Sequence, residues 1–218
     1  MEHRITVNFN ARYETLGKAH QETEELWLVC HGHGQLAKYF IKKFNPLDNG
    51  KRLIVAPEGL FKYYLQGFSG RVGATWMTKE DRESDIQNYL SYLKAVLKEV
   101  KSTLPDTVKV TLLGFSQGAA TISRLATQTD IDFDKLILWA GIFPPDLPPL
   151  ESKNKLSNKP CYLVYGTKDP YLTDARILEQ QNIADHLSIK PEILTFNGEH
   201  EMHSVTLLNL CQSLDTHP

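Results

Sequence analysis

An α/β fold with a mostly parallel central sheet is predicted by two observations: solid apolar runs of strand length, and amphipathic stretches of helical period between them. The runs are Leu26 to Cys30, Leu53 to Ala56, Val108 to Leu113, Leu136 to Ala140, Cys161 to Tyr165 and Ile193 to Phe196. They lack polar alternation, which suits strands buried on both faces. A third observation concerns the N-terminus, where Ile5, Val7 and Phe9 alternate with polar residues and the pattern continues through Ala11 and Tyr13. That period predicts antiparallel strands there, with one wet face.

The helical signal is clearest from Asp85 to Val100, where Ile86, Tyr89, Leu90, Leu93, Val96, Leu97 and Val100 form one apolar stripe. Shorter signals cover Leu36 to Phe44, Ala119 to Thr127, Ala175 to Leu187 and Val205 to Leu214. Strands and helices therefore alternate, which places helices on both faces of the sheet. Two segments break the alternation and are expected to be loops or small lids. Glu58 to Thr78 is rich in aromatics and glycine, and Ile142 to Lys159 carries Pro144, Pro145, Pro148 and Pro149. Neither has the composition of a linker, so residues 1–218 are expected to form one domain.

A chain of 218 residues with 41% hydrophobic residues can build a sizeable core. Its 24 basic and 26 acidic residues are scattered, giving a formal charge of −2 without a basic block. Nucleic acid is excluded as an expected partner on that ground. Cys30, Cys161 and Cys211 are odd in number and widely spaced, which predicts buried free thiols. No apolar run approaches the roughly 20 residues of a membrane span, and Met1 to Arg4 leads into no hydrophobic signal core. A cytoplasmic protein without integral membrane association is the expectation.

Chemistry enters at Gly114-Phe115-Ser116-Gln117-Gly118, which joins a predicted strand to a predicted helix. Strand, tight turn and helix are the context of a nucleophile elbow, whose serine is strained and whose flanking glycines avoid neighbouring backbone. Ser116 is the candidate nucleophile. A serine hydroxyl needs a histidine to take its proton and a carboxylate to orient that histidine. Both are expected after the serine in the chain, at the carboxyl ends of later strands. Asp169 follows the strand ending at Tyr165, and its rival is Asp174 at the start of the next helix. His200 follows the last strand, and its rival is His203, close to the final helix. The oxyanion donors are expected to be the backbone amides of Gln117 and of His33, within the turn His31-Gly32-His33-Gly34. A metal-binding reading of His31 and His33, with His200 or His203 as a third ligand, is the weaker alternative.

These pieces resemble the phospholipase/carboxylesterase family of α/β-hydrolases, which includes the acyl-protein thioesterases. The matching stretches are His31-Gly32-His33-Gly34, Gly114 to Ala119, Tyr165 to Pro170 and Gly198-Glu199-His200-Glu201, in family order. The resemblance implies an α/β-hydrolase fold, a triad of Ser116, Asp169 and His200, an oxyanion hole at the His33 and Gln117 amides, and no metal or organic cofactor. It implies a serine carboxylesterase or thioesterase acting on a small-molecule acyl ester or thioester. A lysophospholipase or other acyl hydrolase or transferase with the same triad is the alternative activity, and a non-catalytic ligand-binding protein of the same fold is the rival from another class. Ala74-Thr75-Trp76-Met77-Thr78 stands where family members often carry an aromatic and acidic segment, which makes Trp76 a candidate wall of the substrate pocket.

Overall fold

The structure, a computed structural model, describes residues 1–147, 155–156 and 158–216. Among the described residues, nine strands and five α-helices follow in the order β1 (Tyr13–Leu16), β2 (Glu25–Cys30), α1 (Ala37–Phe40), β3 (Arg52–Pro57), β4 (Phe61–Gln66), β5 (Ser69–Thr75), α2 (Arg82–Lys101), β6 (Lys109–Phe115), α3 (Gln117–Gln128), β7 (Lys135–Trp139), β8 (Cys161–Gly166), α4 (Asp174–His186), β9 (Glu192–Phe196) and α5 (Ser204–Thr216). A 3-10 segment, Ile41–Leu47, continues α1.

The main sheet has the order β1-β3-β2-β6-β7-β8-β9. All its pairings are parallel except β1 with β3. Side chains of the central strands alternate between two apolar layers. Leu26, Leu28, Leu112 and Leu138 face α2, α3 and α4, whereas Trp27, Val29, Leu113 and Trp139 face the α1 region and α5. The seven-residue stripe of α2 is buried throughout, and each fully buried large apolar side chain contributes about 1.5–3 kcal/mol. The predicted α/β sheet with helices on both faces is thus the observed one.

Two expectations are corrected. The N-terminal alternation forms no strand before Tyr13, and Ile5, Val7 and Phe9 are exposed. The reason is the length of the partner: β3 ends at Pro57, opposite Tyr13, and beyond it one bond from Glu58 N to Arg12 O closes the pairing. The aromatic segment after Glu58 is an antiparallel hairpin of β4 and β5 rather than a loop. A bridge between Gln35 and Ala74 ties that hairpin to the turn after β2. Of the proline-rich segment, Pro148 and Pro149 lie outside the described residues. Cys30, Cys161 and Cys211 are buried free thiols, as expected.

Candidate active site

β6 runs into the turn at Ser116, and α3 begins at the next residue. Ser116 has φ 54° and ψ −117°, a conformation that costs a non-glycine residue of order 1–3 kcal/mol and persists only where its surroundings impose it. The surroundings are tight. A Cβ on Gly118 would lie 2.1 Å from the Cys30 carbonyl oxygen, and one on Gly114 would lie 2.1 Å from that of Gly118. Strand and helix can approach this closely only without those side chains. Ser116 N–H donates to Trp139 O at 2.9 Å, which anchors the turn to β7.

The two other candidates arrive from the ends of β8 and β9. His200 Nε2 lies 2.9 Å from Ser116 Oγ, and Nδ1 lies 2.8 Å from Asp169 Oδ2. The Asp169 side chain is fully buried, and its other oxygen accepts from Tyr171 N–H at 2.9 Å. An aspartate held this way accepts from Nδ1–H, leaving Nε2 to accept from the serine hydroxyl. The imidazole sits between Phe115 and Tyr171, with ring centroids 5.1 and 4.8 Å away. His203 goes elsewhere: it stacks on Phe196 at 4.9 Å, and its Nδ1 lies 2.8 Å from Thr206 Oγ1 in the first turn of α5. Asp174 is the first residue of α4, where it adds a negative charge to the helix start.

The turn after β2 passes over the serine, since a Cβ on Gly32 would come 3.2 Å from Ser116 Cβ. Among the described residues, the backbone N–H groups of His33 and Gln117 have no hydrogen-bond partner. Their side chains are held by the hairpin. His33 Nε2 lies 2.6 Å from the Tyr63 hydroxyl and Nδ1 lies 3.2 Å from Thr75 Oγ1. Gln117 Oε1 accepts from Thr75 Oγ1 at 3.0 Å and Trp76 N at 3.2 Å, and Nε2 donates to Met77 O at 2.9 Å.

The metal reading of His31 and His33 finds their nitrogens engaged. His31 is buried, donates from Nδ1 to Gly32 O at 2.7 Å and accepts at Nε2 from Gly59 N–H at 2.9 Å. Burial holds its pKa below the usual histidine value. Among the described residues, no three His, Cys, Asp or Glu side chains are grouped so as to hold a metal ion. Trp76, the candidate pocket wall, is fully buried beneath the hairpin, donates from Nε1 to His31 O at 2.8 Å and packs edge-on against Tyr89. It does not border the open cleft of about 340 Å³ at Ser116, whose walls include Gly141, Ile142, Pro144, Tyr171 and Leu172. Sequence reasoning missed these wall residues. Tyr171, next after Asp169-Pro170, and Gly141, at the exit of the strand beside β6, had a positional signal.

A mostly parallel sheet with its serine turn after β6, and with later strand ends carrying Asp169 and His200, is an α/β-hydrolase fold. Residues 22–203 match the family described as serine hydrolase (FSH1), and the chain belongs to that family. Solved structures with the same fold include acyl-protein thioesterase 2 of Zea mays, at a TM-score of 0.71 and 17% identity over 95% of this chain and 99% of that one. The Bacillus cereus carboxylesterase aligns at a TM-score of 0.70 and 14% identity, covering 94% of each chain. A phospholipase/carboxylesterase from Dyadobacter fermentans DSM 18053 aligns at 0.67 and 17% identity, covering 96% and 98%. No curated protein matches the chain. Among the described residues, no helix is long and apolar enough to cross a membrane.

Proposed function

We propose that the protein hydrolyses small acyl esters or thioesters through an acyl-enzyme intermediate on Ser116. His200 takes the Ser116 proton as Oγ attacks the carbonyl carbon, and Asp169 holds the imidazole in the Nδ1–H tautomer and stabilises its charged form. The His33 and Gln117 amides receive the negative charge that develops on the carbonyl oxygen. His200 then gives its proton to the departing alcohol or thiol, and water released from its own proton by the same base cleaves the acyl-enzyme. No step calls for a metal or organic cofactor.

The observation that carries this reading is the unbroken hydrogen-bonded path from Ser116 Oγ through His200 to Asp169, starting at a serine of strained backbone. Membership of a serine hydrolase family supports it. Substituting Ser116→Ala is expected to lower turnover of a p-nitrophenyl ester by several orders of magnitude and to abolish labelling by a fluorophosphonate, without unfolding the protein. Near-normal hydrolysis by the folded variant would overturn the assignment.

A further inference from the structure

The cleft at Ser116 is walled mostly by small, aliphatic, proline and aromatic residues, and among the described residues Arg176 is the one side chain there with a formal charge. Arg176 stands in the first turn of α4, where its N–H donates to Oγ1 of the helix cap Thr173. A cation in that turn opposes the helix dipole, whose N-terminal end favours negative charge. Helix stability therefore does not account for the arginine. Its Nη1 donates to Glu179 Oε2 at 2.8 Å, but the two side chains are 54% and 35% exposed, and ion pairs so open to water contribute little. A guanidinium offers five N–H donors in a planar fork, and Glu179 takes one of them.

We propose that Arg176 sets the substrate specificity of this cleft, and that the substrate is an ester bearing a carboxylate that the guanidinium binds. The inference rests on Ser116 as nucleophile and adds the chemical class of what it attacks. The cleft, about 340 Å³, is at the small end of the roughly 300–1,000 Å³ of ligand pockets, so a ligand that fills it meets both Ser116 and Arg176. Ligand sites are mostly apolar, with a few placed polar groups that fix orientation. Here the placed group is a fork that matches a carboxylate, and the Glu179 contact shows a carboxylate meeting it. A substrate carboxylate anywhere else in the cleft would lose hydration against apolar walls without a partner. The position of the charge on the substrate is thereby selected.

The test measures kcat/KM on two pairs of esters, each a charged compound and its neutral methyl ester: mono-p-nitrophenyl adipate, with the charge on the acid half, and p-carboxyphenyl butyrate, with the charge on the alcohol half. The readout is the charged-to-neutral ratio, so a general change in activity cancels. In at least one pair Arg176→Gln should lower that ratio by about threefold or more, and Arg176→Lys should restore part of it, as a point charge without the fork. Glu179→Gln should raise the ratio, because it removes the competing carboxylate. In 1 M KCl, where the screening length falls to about 3 Å, the wild-type ratio should approach that of Arg176→Gln. Both positions are at the surface, so the variants are expected to fold. Ser116-dependent hydrolysis with ratios that none of these substitutions moves in either pair would overturn the inference while leaving the nucleophile in place. Absence of any Ser116-dependent hydrolysis, of charged and neutral esters alike, would remove the underlying reading, and the inference with it.

Discussion

His200 and His203 are three residues apart, and their different surroundings separate them. His200 joins Ser116 to Asp169, whereas His203 precedes α5 and accepts from Thr206 N–H at 3.4 Å, three residues into the helix boundary. His203→Ala should therefore cost stability, about 1 kcal/mol for a lost helix cap, and leave ester turnover near wild type. His200→Ala should abolish turnover, and chemical denaturation alongside steady-state rates distinguishes the two. His31 offers a separate pH signal. Its Nε2 accepts from Gly59 N–H, so a proton added there would set two donors against each other in a buried site. Burial lowers its pKa in the fold, so on acidification the unfolded chain takes up this proton first. Stability should fall as pH drops below about 6.5, the unperturbed value, until the lower folded pKa is reached. His31→Gln should flatten that part of a melting-temperature profile between pH 8 and 5. An unchanged slope would assign the loss to other groups.

The hairpin of β4 and β5 is the element that sequence patterning missed, and its surface explains why. Five of the six β4 residues are exposed and none is fully buried, so no alternating apolar face marks it as a strand. The N-terminal alternation misled in the opposite direction, because a period of two specifies a strand only where a partner strand extends alongside. The elbow was legible because its requirement is local: a serine between glycines, with neighbouring backbone where their side chains would be. Asp169 and His200 were legible because strand ends in a parallel sheet gather at one edge. What the hairpin does depends on pairings across 30 or more residues, such as Tyr63 with His33 and Thr75 with Gln117. These bonds hold the residues proposed to donate both oxyanion amides. Tyr63→Phe and Thr75→Val should lower kcat by about tenfold with KM nearly unchanged, a fraction of the 10²–10³ lost with a whole oxyanion donor. Affinity for a trifluoromethyl ketone, which forms the tetrahedral adduct, should fall in parallel. An effect confined to KM would assign the hairpin to substrate binding instead.

At the scale of the whole molecule, the order of buried strands was readable only as a class. Solid apolar runs announce a two-sided parallel sheet, but the exchange that places β3 outside β2 arises from crossover connections that composition does not encode. The same holds for the way the segment after β7 is secured over the cleft. Asp146, in that segment, bonds Arg82 at the start of α2 and Arg124 of α3, the latter at 2.7 Å. Burial works to raise the Asp146 pKa, but hydrogen bonds and charge from the two arginines prevail and hold it below the ordinary carboxylate value. A carboxylate depressed in the fold contributes stability that is present above its unfolded pKa, near 3.9, and is lost as pH falls through the folded value. Asp146→Asn keeps the shape and removes the charge, leaving the guanidinium of Arg124, 3% exposed, without its counter-charge. Because Asp146 itself is 39% exposed, the cost at neutral pH should be about 1–2 kcal/mol, below that of a fully buried pair. That corresponds to a fall of roughly 2–8 °C in Tm for a chain of this size. The gap between wild type and variant should narrow below pH 4, as the wild-type carboxylate takes up its proton. A gap that stayed constant down to pH 2 would locate the loss in packing rather than in the ion pairs.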